Sequence, residues 1–262
     1  MTTQLHTVLV VGATGSIGRL VVAESLAQGY STRALVRDPG KAQQLPADVQ
    51  IVVGDVTQPN TLPAAVDGAD AIVLTLGSDG AGRVGAETVD YGGVRNILAA
   101  VGTRRVRIAL MTSIGVTNRT GAYNRSTQAH DWKRRSERLV RASGHPYTIL
   151  RPGWFDYNAP DQHRLTLLQG DTRQAGDSSD GVIARRQIAQ VLVSSLSSDA
   201  AVGKTFELVA EHGPAPTDLD PMFASLEPEP PGNLDGVHDI PNMPLPEEPD
   251  RVRADLEALT SR

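Results

Sequence analysis

Residues 7–28 read TVLVVGATGSIGRLVVAESLAQ, and the reading of this stretch decides the fold. A β-branched apolar run ends at Gly12, glycines recur at Gly15 and Gly18, and apolar residues then continue at helical spacing. Strand, tight turn and helix follow one another within about 30 residues, the context in which such a turn carries weight. Gly12 permits the turn, Gly15 lets backbone N–H groups approach a pyrophosphate, and Gly18 lets the helix pack closely on the strand. Thr14, Ser16 and Ile17 complete the expected phosphate-binding turn, and a merely tight strand-to-helix turn is the alternative.

Outward from this unit, short β-branched runs alternate with helical patterns, as in βαβ units. Strands are expected over 7–11, 31–36, 50–54, 71–76, 107–112, 147–150 and 205–209. Helical spacing covers 17–28, 58–66, 87–101, 130–143 and 181–196. The runs VLVV, IVLTL and IALMT are almost continuously apolar, as expected for strands covered on both faces. The expected fold is therefore α/β: a Rossmann-type doubly wound, mainly parallel seven-stranded sheet with helices on both faces. In such sheets ligands collect at the carboxyl ends of the strands, near the switch in strand order.

The chain of 262 residues suits one large domain. A net charge of -5 gives no bulk attraction to nucleic acid, and no nucleic-acid partner is expected. The absence of cysteine excludes disulfides and thiol catalysis and points to a reducing cytoplasm. No segment approaches the ~20 apolar residues of a membrane span. The six histidines show no HxH or HExxH spacing, so no metal is expected. Ser113, His130 and an aspartate could suggest a hydrolase triad, but no GxSxG turn accompanies them.

Charge is unevenly placed. Residues 211–262 hold 12 acidic and 3 basic residues, against 18 and 22 in 1–210, and 10 of the 17 prolines. The expected organisation is a nucleotide-binding unit with its substrate pocket over 1–210 and an acidic, proline-rich extension over 211–262. Those prolines argue against continuous helix or central strand in the extension. Its apolar residues Phe223, Leu226, Leu234, Val237, Ile240, Met243 and Leu245 are more than a disordered tail needs, so it is expected to lie along the basic body, closing part of the cleft.

At the second strand end, STRALV runs into Arg37, nineteen residues after Gly18. An acidic residue there would accept from a ribose 2′-OH, whereas an arginine can pair with a 2′-phosphate, which favours NADP over NAD; the alternative is a solvated arginine in the turn RDPGK, with Lys41 or Arg19 supplying the charge. Asp55, at the end of VVGDV, either receives an adenine amino group or caps the next helix.

Several motifs in order resemble the atypical short-chain dehydrogenase/reductase superfamily, closest to its NmrA-like, NAD(P)H-binding branch. They are GATGSIG, ALVRDPGKA, VVGDVTQP, MTSIGV and YTILRPGW, spread over residues 5 to about 210. The resemblance implies an NADP(H)-dependent oxidoreductase for a small organic substrate, monomeric or homodimeric. It places Val56, Leu76 and Gly77 on the adenosine side, Thr112 against the cofactor and Ser113 on a substrate carbonyl. Lys133 would bind the nicotinamide ribose, and Pro152 to Phe155, with Trp154, would line the nicotinamide pocket; Trp154 and Phe155 could equally be plain core.

One departure matters. Reductases of this kind have tyrosine four residues before the lysine, one helical turn away, where the ammonium lowers the phenol's pKa. Here that position is Ala129, which cannot protonate an alkoxide. His130 is the nearest substitute, an imidazole titrating near neutral pH. Tyr123, in an expected polar loop, and Tyr157 are the alternatives. A non-catalytic NADP(H) sensor is the rival function. In the surrounding STQAHDWKRRSERLV, residues 126–140, Arg134, Arg135 and Arg138 are expected to be solvated or paired on the helix surface, with Glu137 available to Arg141.

Overall fold

The computed structural model describes residues 6–78 and 80–261. Strands β1 (Thr7–Val11), β2 (Ser31–Val36), β3 (Gln50–Val53), β4 (Ala71–Leu74), β5 (Arg107–Met111) and β6 (Tyr147–Pro152) are followed by three short ones, β7 (Trp154–Phe155), β8 (Arg164–Leu168) and β9 (Val182–Ile183), and by β10 (Lys204–Glu211). They form one sheet in the order β3-β2-β1-β4-β5-β6-β10-β9-β7, with β8 also on β10. The strands from β3 to β10 along that order are mutually parallel, while β8 and β9 run antiparallel to β10. The order reverses between β1 and β4, so the carboxyl ends of these two strands flank the crevice where a ligand sits in a doubly wound sheet.

All seven expected strands are present, and the sheet has ten rather than seven among the described residues. Of the additions, β7 and β9 have two residues each, too few for any alternation to register, whereas β8, RLTLL, is a five-residue strand that was not among those expected.

The helices are α1 (Gly18–Ala27), α2 (Pro39–Ala42), α3 (Pro63–Val66), α4 (Gly82–Gly85), α5 (Gly92–Val101), α6 (Ala122–Thr127), α7 (Ala129–Ala142), α8 (Arg185–Ser197), α9 (Asp220–Ala224) and α10 (Asp250–Thr260), with a π-helical turn, Ala86–Tyr91, between α4 and α5. The expected helix over 58–66 is broken into a 3-10 turn (Pro59–Thr61) and α3, because Pro59 and Pro63 each remove a backbone donor. The helix expected from 181 begins at Arg185, since Gly181 has φ +127, outside any right-handed helix, and Val182–Ile183 pairs as β9. The expected loop around Tyr123 contains α6. In the extension, helix does form: α9 is five residues long and carries Pro221 in its first turn, and the one long helix, α10, starts beyond the last proline, Pro249.

Successive residues of β1 point to opposite faces. Val8 and Val10 join a core with α1 and α8, whereas Leu9 and Val11 join a second core with α5, α7 and α10. Both faces are thus covered, which is why the central strands read as unbroken apolar runs. β3 is the edge, and its Ile51 and Val53 are exposed.

Candidate functional site at the carboxyl ends of the strands

The glycine turn fits the role its spacing suggests. Gly12 has φ +86, and a Cβ there would stand 2.7 Å from the Thr75 carbonyl oxygen. A Cβ on Gly18 would stand 2.0 Å from the Gly12 carbonyl oxygen, so only glycine lets α1 start this close to β1. Gly15 N–H donates to the Gly12 carbonyl at 2.9 Å and tightens the turn. Gly15 and Ser16 are exposed, Thr14 is half-buried and Ile17 is buried as an anchor. The N–H groups of Ser16 and Ile17 donate to no protein atom among the described residues, and the first turn of α1 has no acidic side chain. Free donors at the positive end of a helix suit an anion.

Around this turn the other strand ends assemble. Arg37 leaves β2 exposed, with no hydrogen bond or ion pair among the described residues, while neighbouring Asp38 accepts from Gly40 N–H and caps α2. Asp55 is committed locally: its Oδ1 accepts from both Thr57 N–H (2.9 Å) and the Thr57 hydroxyl (2.8 Å). Val56 and Leu76 meet over Gly93, where a Cβ would come within 3.0 Å of each side chain, so the loops after β3 and β4 form one wall. Gly77 lies exposed beside it.

Beyond β5, Thr112 is turned away, its hydroxyl donating to Glu137 at 2.7 Å. Ser113 Oγ is buried and has no hydrogen-bond partner, and the same is true of His130 Nδ1. The His130 ring lies against Gly115, and Tyr123 on α6 packs on it with centroids 5.1 Å apart. Burial pushes the His130 pKa below its ordinary value, only partly countered by the Asp171 carboxylate. Lys133 Nζ donates to Asp90 Oδ1 at 2.8 Å, and Ser78 Oγ donates to the other oxygen of Asp90 at 2.7 Å. Ala129 is buried in the apolar core beside Trp132. After β6, Pro152 is buried, Phe155 is half-buried, and Trp154 is exposed with Tyr157 edge-on at 6.1 Å.

A cavity of about 560 Å³ lined by Gly102, Arg141, His145, Leu234 and Leu259 lies elsewhere. Gly102 precedes β5, Arg141 and His145 precede β6, and Leu234 and Leu259 come from the extension, so this cavity lies at the amino edge of the sheet and is not the crevice described here.

A family model described as NAD(P)H-binding matches residues 12–199. The chain belongs to this NAD(P)H-binding family. Among its relatives, an uncharacterized chloroplastic protein of Arabidopsis thaliana is 28% identical over 233 residues, 80% of this chain and 71% of that one. Sanguinarine reductase of Eschscholzia californica is 26% identical over 263 residues, covering 84% and 96%. A short-chain dehydrogenase/reductase of Veillonella parvula, solved in complex with NADP, superposes with a TM-score of 0.60 at 17% identity, covering 82% and 100%. The resemblance to atypical short-chain dehydrogenases/reductases is borne out, and the chain binds a nicotinamide dinucleotide.

Several residues that shape this crevice carry no sequence signal. Asp90 enters it through the π-helical turn, 43 residues from Lys133. Asp171, fully buried with φ +49, accepts from Gly115 N–H (2.6 Å), Thr117 N–H (2.7 Å) and the Thr117 hydroxyl (2.8 Å), fixing the loop that carries Ser113. Glu207 on β10 accepts from Asp171 N–H; burial pushes its carboxyl up to about 8 despite nearby Arg151.

The arginines of α7 need a correction. Arg134, Arg135 and Arg138 are buried, and each is paired with the acidic extension. Arg134 and Arg138 share Asp235, both at 3.0 Å to Oδ1, and Arg134 also donates to the Ile240 carbonyl and Asn242. Arg135 donates to Glu248 at 2.7 Å, and Arg141 to Glu229 at 2.8 Å. On β6, Arg151 bridges Glu137 and Asp239. Burial raises the Glu137 carboxyl, but Arg151 and Arg141 together hold it below its ordinary value. Phe223, Leu226 and Met243 are buried, Leu234 and Val237 half-buried, and Ile240 and Leu245 exposed. Asn242 Nδ2 donates to the Thr117 carbonyl at 2.9 Å, so the extension reaches the loop after β5. A boundary after residue 210 falls inside β10, which ends at Glu211.

Proposed function

We propose that the chain is an NADP(H)-dependent oxidoreductase of the NmrA-like branch, acting on a small organic substrate. The observation that carries this is the pair of buried, unpartnered polar atoms, Ser113 Oγ and His130 Nδ1, at the carboxyl end of the sheet. Buried polar atoms are nearly always satisfied, so such a pair in a nucleotide-binding crevice is suited to a substrate oxygen. The bound nicotinamide supplies hydride. Gly12, Thr14, Gly15, Ser16, Ile17 and Gly18 hold its pyrophosphate, Arg37 the 2′-phosphate, and Asp55, Val56, Leu76 and Gly77 the adenosine. Lys133, oriented by Asp90, donates to ribose hydroxyls, while Pro152 and Trp154 shape the nicotinamide side; Thr112, its hydroxyl spent on Glu137, supports the strand end from behind. Ser113 orients the substrate oxygen, and His130, with Tyr123 stacked on it, delivers the proton. The working unit is 1–210, with 211–262 as its extension, in a reducing cytoplasm.

The sign of the His130 shift sets a test. If its imidazolium donates the proton, turnover falls as pH rises through a value below the ordinary 6.5 of histidine. NADPH oxidation should be followed with a panel of quinones, flavins, aldehydes and enones. Substrate-dependent loss of reduced-nicotinamide absorbance is expected, cut about 100-fold by Ser113→Ala. Tight NADPH binding with no turnover across the panel would instead favour a non-catalytic sensor. That second reading has its own observation: the tyrosine position is an alanine sealed into the apolar core.

A further inference from the structure

The nucleotide turn is contacted by an arginine outside every motif noted above. Arg185, the first residue of α8, donates from Nε to Ser16 Oγ at 3.2 Å. At the opposite ends of the same helices, Gln28 donates to Ser194 Oγ at 3.2 Å. Helices α1 and α8 therefore lie side by side and parallel, with both amino termini at the glycine turn. Neither has an acidic residue in its first turn. Negative charge comes from outside: Asp156 ion-pairs with the Arg185 guanidinium and accepts from Arg185 N–H at 3.1 Å. The Phe155 ring lies 5.2 Å from the guanidinium. Asp156 holds a left-handed backbone, φ +58, in the segment that also carries Trp154 and Tyr157.

We propose that Arg185 binds the pyrophosphate of the dinucleotide, exchanging Asp156 for the phosphates as the cofactor enters, and so couples cofactor binding to the Trp154–Tyr157 segment. This rests on reading Gly12–Gly18 as the pyrophosphate turn, and holds for NAD and NADP alike. The magnitudes favour exchange. Both side chains of the pair are partly exposed, and such a pair contributes at most about a fivefold equilibrium preference. A charge-assisted bond from a guanidinium to phosphate contributes about ten- to a hundredfold. Freed of its partner, Asp156 keeps its acceptor role at the N-terminus of α8, while the adjoining aromatic residues lose one tether.

Equilibrium titration separates the outcomes. Arg185→Gln should weaken NADPH and NADH equally, by about six- to thirtyfold once the exchanged Asp156 pair is counted, and leave 2′-AMP, which has no pyrophosphate, unchanged. Arg185→Lys, which keeps the charge without the fork, should fall between wild type and Gln, and decides the matter if Gln fails to fold. Asp156→Asn should tighten both dinucleotides by up to about fivefold. NADP⁺ should shift the tryptophan emission of the wild type but not of Trp154→Phe. Wild-type affinity for both dinucleotides in Arg185→Gln or Arg185→Lys overturns the proposal alone. Failure of the wild type to bind either dinucleotide overturns it together with the reading of the turn.

Discussion

The nucleotide end and the arginine face of α7 make opposite use of positive charge. At the nucleotide end, Arg37 is exposed without a partner and the turn keeps free N–H donors, so the region is electrostatically unsatisfied. On α7, four arginines within eight residues are buried and almost every donor is met from chain about a hundred residues away. Arg37 keeps its charge available, whereas the α7 arginines spend theirs within the fold. A lone exposed arginine and a buried cluster of four thus differ in what their charge is free to do.

That contrast breaks most visibly at Arg151, which bridges Glu137 on α7 and Asp239 of the extension. Arg151→Met leaves two carboxylates buried without their main partner and should cost about 3–5 kcal/mol, read as a shift in denaturant midpoint. Dinucleotide affinity of the folded fraction should stay near wild type, because no group in the glycine turn touches this network. A loss of affinity at unchanged stability would show that the two regions are not separate.

Acid probes the same network more gently. Burial pushes the Asp239 carboxyl up, but Arg151 more than offsets this and holds it at about 2. A depressed carboxylate contributes stability that is present above its unfolded pKa and lost as pH falls through the folded one. Roughly 2 kcal/mol should therefore disappear between about pH 4 and pH 2, and Asp239→Asn should flatten that part of the profile. Glu207 has the reverse sign. Its raised pKa means stability declines as pH rises from the ordinary carboxylate range towards 8, so Glu207→Gln should remove an alkaline decline and leave the acid limb intact.

At the nucleotide end the corresponding test is Arg37→Asp. NADPH should bind about thirtyfold more weakly, an effect of about 2 kcal/mol, with NADH little changed and the melting temperature unmoved. Equal losses for the two cofactors would remove Arg37 from the 2′-phosphate.

The two regions also differ in how legible they were. The turn is local: three glycines, a strand before them and a helix after are adjacent in sequence, and the steric need at Gly12 and Gly18 follows from their spacing. The central strands were legible for the same reason, since burial on both faces leaves runs such as IALMT without polar interruption, while the largely exposed edge strand β3 shows through its β-branched residues alone. Asp90, Asp171 and Arg185 were not, because each acts across 43 to 169 residues and no local periodicity encodes such a partner. The α7 arginines are paired, as was one of the two expectations for them, and Arg141 does meet Glu137, but they are buried and not on the surface, because their partners come from the distant extension. Only the excess of acid in 211–262, met by net positive charge in the body, hinted at the pairing.

Asp55 tests the comparison on its finest scale, because it belongs to the nucleotide end yet behaves like the α7 face, with one oxygen already accepting twice from Thr57. Its second oxygen has no hydrogen-bond partner among the described residues, as the proposed contact with an adenine amino group requires. Asp55→Asn keeps an acceptor for Thr57 and replaces the other oxygen by a donor, so the turn should survive with stability changed by less than about 0.5 kcal/mol. Affinity for NADPH should fall by about fivefold, near 1 kcal/mol, and affinity for nicotinamide mononucleotide, which has no adenine, should not change. Unaltered NADPH affinity in Asp55→Asn, alongside a loss of about 1 kcal/mol of stability in Asp55→Ala, would make this carboxylate a turn cap alone. The adenine would then be held by packing between Val56 and Leu76, whose contact over Gly93 needs no polar partner.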